Sequence, residues 1–137
     1  FIRRAVASGP DLRSPISFVI HGHDGARLEE LREFLRTRLG WGEPIVLRDE
    51  ASHNRAIVEK FEQHFQEADV VFVLLTPDDV GCQASEAPSG LAPRVRQNVV
   101  FELGYAYGKR TRVHGRILLL QDGAFELWSD LGGIDPI

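Results

Sequence analysis

Val70-Val71-Phe72-Val73-Leu74-Leu75 is an unbroken apolar run, and few folds can hold such a strand. Side chains alternate across a strand, so a run apolar at every position has no face left for solvent. It belongs at the centre of a parallel sheet covered by helices on both sides. The flanking segments agree. Residues 16–20 form a short apolar run that ends in the turn His21-Gly22-His23-Asp24-Gly25. Leu28, Leu31, Leu35 and Leu39 then recur at helical spacing, with Asp24 as N-cap and Gly40 as the C-terminal stop. Residues 44–47 read as a second strand, followed by a polar loop over 48–53. Asn54 caps a second helix whose apolar stripe is Ile57, Val58, Phe61, Phe65 and Ala68. Residues 94–109 read as a third helix and residues 116–120 as a fourth strand. This alternation predicts an α/β, doubly wound, flavodoxin-like fold: a parallel sheet of four to five strands with helices on both faces.

The remaining segments set the boundaries. Residues 1–15 lack periodicity and read as a linker or poorly ordered arm, which leaves 16–137 as one domain. Residues 79–93, rich in Gly, Ala, Ser and Pro, read as a long loop of the kind that serves as a lid or stays disordered. Thr76-Pro77-Asp78-Asp79 fits a helix start, with Thr76 as cap and Asp79 as the reciprocal acid. The chain begins at Phe1 rather than Met and stops before a clear fifth βα unit, so it is expected to be a fragment of a longer protein.

Composition narrows the function classes. A net charge of −4 argues against a dedicated nucleic-acid binder, which needs a basic face to neutralise phosphates. The single cysteine, Cys82, excludes an internal disulfide and fits a reducing, cytoplasmic setting. No run reaches the roughly 18 apolar residues of a membrane helix, and no signal-peptide layout is present. His21 and His23 are two apart, but no further His or Cys cluster completes a metal site, so no metal is expected.

In doubly wound sheets, ligands bind outside the carboxyl ends of the strands where strand order reverses. That directs attention to residues 21–25, 48–53, and 76 onward to the start of the third helix. On that helix Val95, Val99, Leu103 and Ala106 form a sheet-facing stripe, while Asn98, Glu102 and Tyr105 fall on the neighbouring one. Glu102 is a lone carboxylate beside apolar and aromatic neighbours. A solvated surface glutamate, or a partner for Arg94 or Arg96, fits the same spacing. Gly104 and Gly108 each cost about 1 kcal/mol against Ala in a helix. Close packing on the sheet is the expected reason for them, and close approach of a ligand the alternative.

The runs Phe18-Val19-Ile20-His21-Gly22-His23-Asp24, Leu74-Leu75-Thr76-Pro77-Asp78-Asp79-Val80-Gly81 and residues 94–105 with Asn98, Phe101, Glu102 and Gly104 resemble the bacterial TIR-like family. That family includes the TIR portion of TIR–STING effectors in cyclic-nucleotide anti-phage defence. The resemblance covers residues 18–131, most of the chain. It implies a flavodoxin-like TIR fold, cleavage of NAD to nicotinamide and ADP-ribose or a cyclic form, and activation by oligomerisation. It also implies a catalytic glutamate on the third helix, the position Glu102 occupies. NAD enters as substrate, and no separate cofactor is implied. The expected partners are other TIR domains and a sensor or cyclic-nucleotide-responsive partner.

A single carboxylate suits this chemistry. Ordinary glycoside hydrolysis uses two, because an acid must protonate the departing oxygen. The nicotinamide of NAD departs neutral without a proton, leaving positive charge on the ribose for a fixed carboxylate to stabilise. The candidate substrate-binding residues are His21, Gly22, His23, Asp24, Arg48, Asp78, Arg94, Arg96, Asn98 and Tyr105. Of these, Arg94 and Arg96 are placed to clamp a pyrophosphate; they are equally placed to pair with Asp78, Asp79 or Glu102. Asp24 also reads as a cap and Tyr105 as a core aromatic. Two rival functions remain at this point: a TIR adaptor that only assembles, and a nucleoside deoxyribosyltransferase-like enzyme, whose glutamate helix residues 102–109 also resemble.

Overall fold

The computed structural model describes residues 13–47, 54–110 and 116–125. Its main sheet has four parallel strands in the order β2-β1-β3-β6. These are β1 (Ser17–Ile20), β2 (Ile45–Val46), β3 (Val70–Leu75) and β6 (Arg116–Gln121). Three helices connect them: α1 (Gly25–Thr37), α2 (Asn54–Glu67) and α3 (Gln97–Arg110). The expected α/β flavodoxin-like architecture is present.

The apolar run of β3 explains the layering. Val71, Val73 and Leu75 join Phe18, Ile20, Phe61, Phe65, Val95, Val99, Leu103 and Ala106 in one core, between the sheet and helices α2 and α3. Val70, Phe72 and Leu74 point the other way and pack with Val19, Leu28, Leu31 and Leu35 of β1 and α1. All six β3 residues are buried, as a strand with a covered face on each side requires.

The ends of α1 are set locally. The Asp24 carboxylate accepts the Arg27 backbone N–H at 3.0 Å and satisfies a first-turn donor. At the other end the backbone turns at Gly40, with φ +65°, and the Trp41 N–H donates to the Leu35 carbonyl at 3.0 Å. Leu39 falls outside the helix and is 38% exposed, so the leucine stripe is one member shorter than its spacing suggests.

Four further expectations need correction. The stretch read as a long loop contains a two-stranded antiparallel ribbon, β4 (Asp79–Gly81) with β5 (Ala92–Arg94), and a short 3-10 turn at Ala84–Glu86. Arg94 is therefore a strand residue, and the helix starts at Gln97 rather than at position 94. Residues 76–79 start no helix: Asp79 pairs with Arg94 across the ribbon. Gly104 and Gly108 do not pack on the sheet. Both are exposed, and a Cβ at either would meet nothing within 4 Å. Most of the N-terminal arm (1–12), the 48–53 loop and the tail (126–137) lie outside the described residues, as do the side chains of Ile57 and Val58. Among the described residues, no helix is long and apolar enough to cross a membrane.

Candidate functional site

The connection β1–α1–β2 runs to one side of β1, whereas β3 and β6 lie on its other side, so strand order reverses between β1 and β3. Two loops leave the carboxyl ends of these strands, residues 21–24 and 76–78. Asp78 joins them. Its Oδ2 accepts the His23 backbone N–H at 3.1 Å and the Thr76 hydroxyl at 2.8 Å. Gly22 lies directly beneath that carboxylate. A Cβ built at Gly22 would come within 1.8 Å of Asp78 Oδ2 and within 3.7 Å of the Arg96 Cβ. His21 to His23, Asp78 and the residue preceding α3 thus form one contiguous patch at the switch point.

Within this patch His21 is half-buried. Its Nδ1 faces the Gly22 carbonyl at 2.8 Å, which fixes the proton on Nδ1 because a carbonyl can only accept. Its Nε2 is buried and has no hydrogen-bond partner among the described residues. A buried acceptor of this kind is unsatisfied unless a donor reaches it. His23 presents an exposed side chain, and Asp24 is occupied as the α1 cap. Thr76 is 2% exposed and spends its hydroxyl on Asp78 rather than on capping a helix.

The α3 residues divide. Val95, Val99, Leu103 and Ala106 are buried against the sheet as their spacing predicts. Asn98 is exposed in the first turn, and Glu102 is half-buried about one and a half turns from the helix start. Arg96 is half-buried beside Gly22; Arg94 is exposed on β5, its guanidinium lying against Gly81 of the paired strand. The first turn of α3 carries no acidic side chain of its own, and the Asp78 carboxylate is the acid that lies in the same patch.

Tyr105 points away from the patch, into the α2–α3 contact. Its hydroxyl donates to Glu62, and its ring meets Phe61 and Phe65 edge-on, with centroids 5.2 and 5.8 Å away. Burial, reinforced by the Glu62 hydrogen bond and charge, pushes the phenol up to about 12. In the sequence Glu62 is one more polar residue on an amphipathic helix, with no local signal that sets it apart. Arg48 lies outside the described residues.

A cleft of about 390 Å³ opens on the α1 face, lined by Arg27, Glu30, Leu31, Phe34, Phe72, Leu74, Thr76, Leu120, Gln121 and Asp122. It contains none of the α3 candidates. Among the described residues there is no group of three His, Cys, Asp or Glu side chains able to hold a metal ion.

Comparison with known proteins adds the family. The model described as "CAP12/Pycsar effector protein, TIR domain" matches residues 17–137. The chain is 39% identical over 128 residues to YuaY of Escherichia coli (strain K12), a protein described as uncharacterized; the match takes in 91% of this chain and 41% of that protein. It is 30% identical over 107 residues to the protein tirC of Dictyostelium discoideum, covering 77% of this chain and 52% of tirC. The chain therefore spans about half the length, or less, of these relatives.

Proposed function

This chain belongs to the TIR-domain family of CAP12/Pycsar effectors, and from that premise we propose that it hydrolyses the nicotinamide–ribose bond of NAD, with Glu102 as the catalytic carboxylate. Its effector role lies in signalling of the anti-phage type. The observation that carries the reading is the setting of Glu102: half-buried on α3, the helix whose start abuts the Gly22–Asp78 patch at the switch point.

In this reading the bond between ribose C1′ and the pyridinium nitrogen breaks, and its electron pair leaves with neutral nicotinamide. Positive charge grows on the ribose ring. A carboxylate held in a partly desolvated crevice stabilises that charge without moving a proton. Water then attacks C1′ and loses its proton to solvent, giving ADP-ribose; attack by a group of the substrate itself gives a cyclic product. The start of α3, with Arg96 beside it and no acid in its first turn, favours the pyrophosphate. His21 Nε2 offers an unsatisfied acceptor to a ribose hydroxyl. His23, Asn98 and Arg94 border the same region.

The α1 cleft has no α3 residue in its lining, and membership of the TIR family supports a site completed between subunits. Self-association, and a sensor or cyclic-nucleotide-responsive partner that triggers it, belong to the same proposal. The test is to cluster the domain with NAD and follow nicotinamide release. Release by clustered wild type, lost in Glu102→Gln, is the expected result. No release by a demonstrably clustered wild-type protein overturns the enzymatic reading and leaves a domain that signals by assembly alone.

A further inference from the structure

Helix α3 is held to the sheet by Val99, Leu103 and Ala106, all of them buried. Apolar burial is non-directional: it keeps the helix on the sheet but resists rotation about the helix axis only weakly. Rotation matters for Glu102. With side chains included a helix has a radius of about 5–6 Å, so a turn of about 10° carries a side-chain tip by about 1 Å. A misplacement of that size at a reacting group can cost about 100-fold in rate.

A directional tie lies one turn further along the helix. Tyr105 follows Glu102 at the i, i+3 spacing, so the two are neighbours on the helix surface. The Tyr105 ring is edge-on to Phe61 and Phe65, with interplanar angles of 84° and 83°. Its hydroxyl donates to the Glu62 carboxylate of α2, and the Lys109 Nζ stands 5.5 Å from the ring centroid. Phe61 in turn meets Phe18 edge-on, with ring centroids 5.4 Å apart. Phe18 belongs to β1, the strand that runs into the His21–Asp24 loop. A continuous line of contacts therefore leads from the strand whose end forms the patch, through α2, to the helix that carries Glu102. Rings can slip against one another along that line. The Glu62–Tyr105 hydrogen bond cannot, because it weakens steeply once donor and acceptor leave alignment.

We propose that Glu62 is a positioning residue for the reaction at Glu102: by holding the Tyr105 hydroxyl it fixes the rotation of α3, and with it the place of the Glu102 carboxylate against the ribose. The inference rests on the NAD reading. Glu62 itself touches no substrate. The ribose of bound NAD carries no positive charge until the glycosidic bond breaks, so a displaced Glu102 weakens the transition state more than the bound substrate. The effect of Glu62 accordingly falls on kcat and not on KM.

The test measures kcat and KM for nicotinamide release by the clustered protein, well below each variant's unfolding transition. Glu62→Leu keeps bulk but accepts no hydrogen bond; Tyr105→Phe keeps the ring but donates none. Each is expected to lower kcat by about tenfold and to leave KM within about twofold of wild type. Glu62→Gln keeps an acceptor oxygen and is expected to retain at least about half the wild-type kcat. Glu62→Leu combined with Tyr105→Phe is expected to be no slower than either alone, because both remove the same link. Wild-type kcat in Glu62→Leu, an equal loss in Glu62→Gln, or losses that multiply in the double variant overturn the proposal and leave the NAD reading standing. A clustered wild type that releases no nicotinamide fails the NAD reading instead. The link is then read without turnover, from the Glu102 Cδ resonance of isotope-labelled protein. A positioning link shifts that resonance in Glu62→Leu and Tyr105→Phe and leaves it in place in Glu62→Gln; a resonance unmoved in all three overturns the proposal.

Discussion

The Oδ2 atom of Asp78 accepts the backbone N–H of His23 at 3.1 Å and so ties the loop after β3 to the loop after β1 across the switch point. The same oxygen takes the Thr76 hydroxyl at 2.8 Å, which aims the carboxylate, and Gly22 leaves room for it. These contacts link two segments 55 residues apart. They hold in one place the loops from which the proposed NAD site is built.

The first prediction concerns that fit. In Gly22→Ala the added methyl would stand 1.8 Å from Asp78 Oδ2 and 2.9 Å from its Cγ. One of the loops must move, at a cost of about 1–3 kcal/mol typical of forced packing. Asp78→Ala removes two accepted hydrogen bonds and costs about 1–2 kcal/mol, but it also removes the obstacle. The double variant is therefore expected to be more stable than the sum of the single effects implies, as measured by urea unfolding. Additive costs would mean that Gly22 and Asp78 do not constrain each other.

How far the sequence led depends on the range of the interactions involved. The β3 run, the Leu28–Leu31–Leu35 spacing and the Asp24 cap are local signals, and each appears where its chemistry predicts. Val95, Val99 and Leu103 share one stripe, and that periodicity predicts a helix beginning at Arg94; the chain reaches Val95 from a strand, and only pairing with Asp79 reveals this. Thr76-Pro77-Asp78-Asp79 has the residues of a helix start. Its hydroxyl and carboxylate instead serve each other and a distant loop. Gly104 and Gly108 give no local sign of which way they face. The Tyr105–Glu62 contact spans 43 residues and joins two helices, beyond what periodicity on either can express.

A second prediction separates charge from shape at Glu102. Glu102→Gln keeps size and hydrogen-bonding capacity and removes the charge. If the carboxylate stabilises a cationic ribose, nicotinamide release by the clustered protein, measured well below the unfolding transition, falls about 100- to 1,000-fold. Glu102→Asp, which retains the charge on a shorter arm, is expected to fall between Gln and wild type. Equal rates for wild type and Glu102→Gln would assign the residue no electrostatic part in the reaction.

A third prediction concerns Asp24, whose side chain satisfies the Arg27 N–H at the start of α1. Asp24→Ala should destabilise the fold by about 1 kcal/mol, and Asp24→Asn by a few tenths, following cap preferences. Nicotinamide release measured well below the unfolding transition tests a second role. A loss in Asp24→Asn, where the cap survives, would place the carboxylate in contact with substrate; unchanged release would confine it to capping.

The last prediction uses Tyr105. Burial first, then the hydrogen bond to Glu62 and its negative charge, push the phenol up to about 12, against about 10 in an unfolded chain. The folded state therefore holds this proton more tightly than the unfolded state does. The resulting stability is fully present below about pH 10 and is lost as pH rises from about 10 through about 12. Tyr105→Phe keeps the ring packed on Phe61 and Phe65 and under Lys109, but it has no proton to lose. At pH near 8 the wild type should be more stable by about 1 kcal/mol, the worth of the Glu62 bond. That advantage should shrink between about pH 10 and 12. Groups other than Tyr105 are common to both proteins, and their contributions cancel in the difference. Urea unfolding of the pair across this range decides it: a gap that stays constant with pH would mean that the Tyr105 proton is no better held in the folded protein than in the unfolded chain.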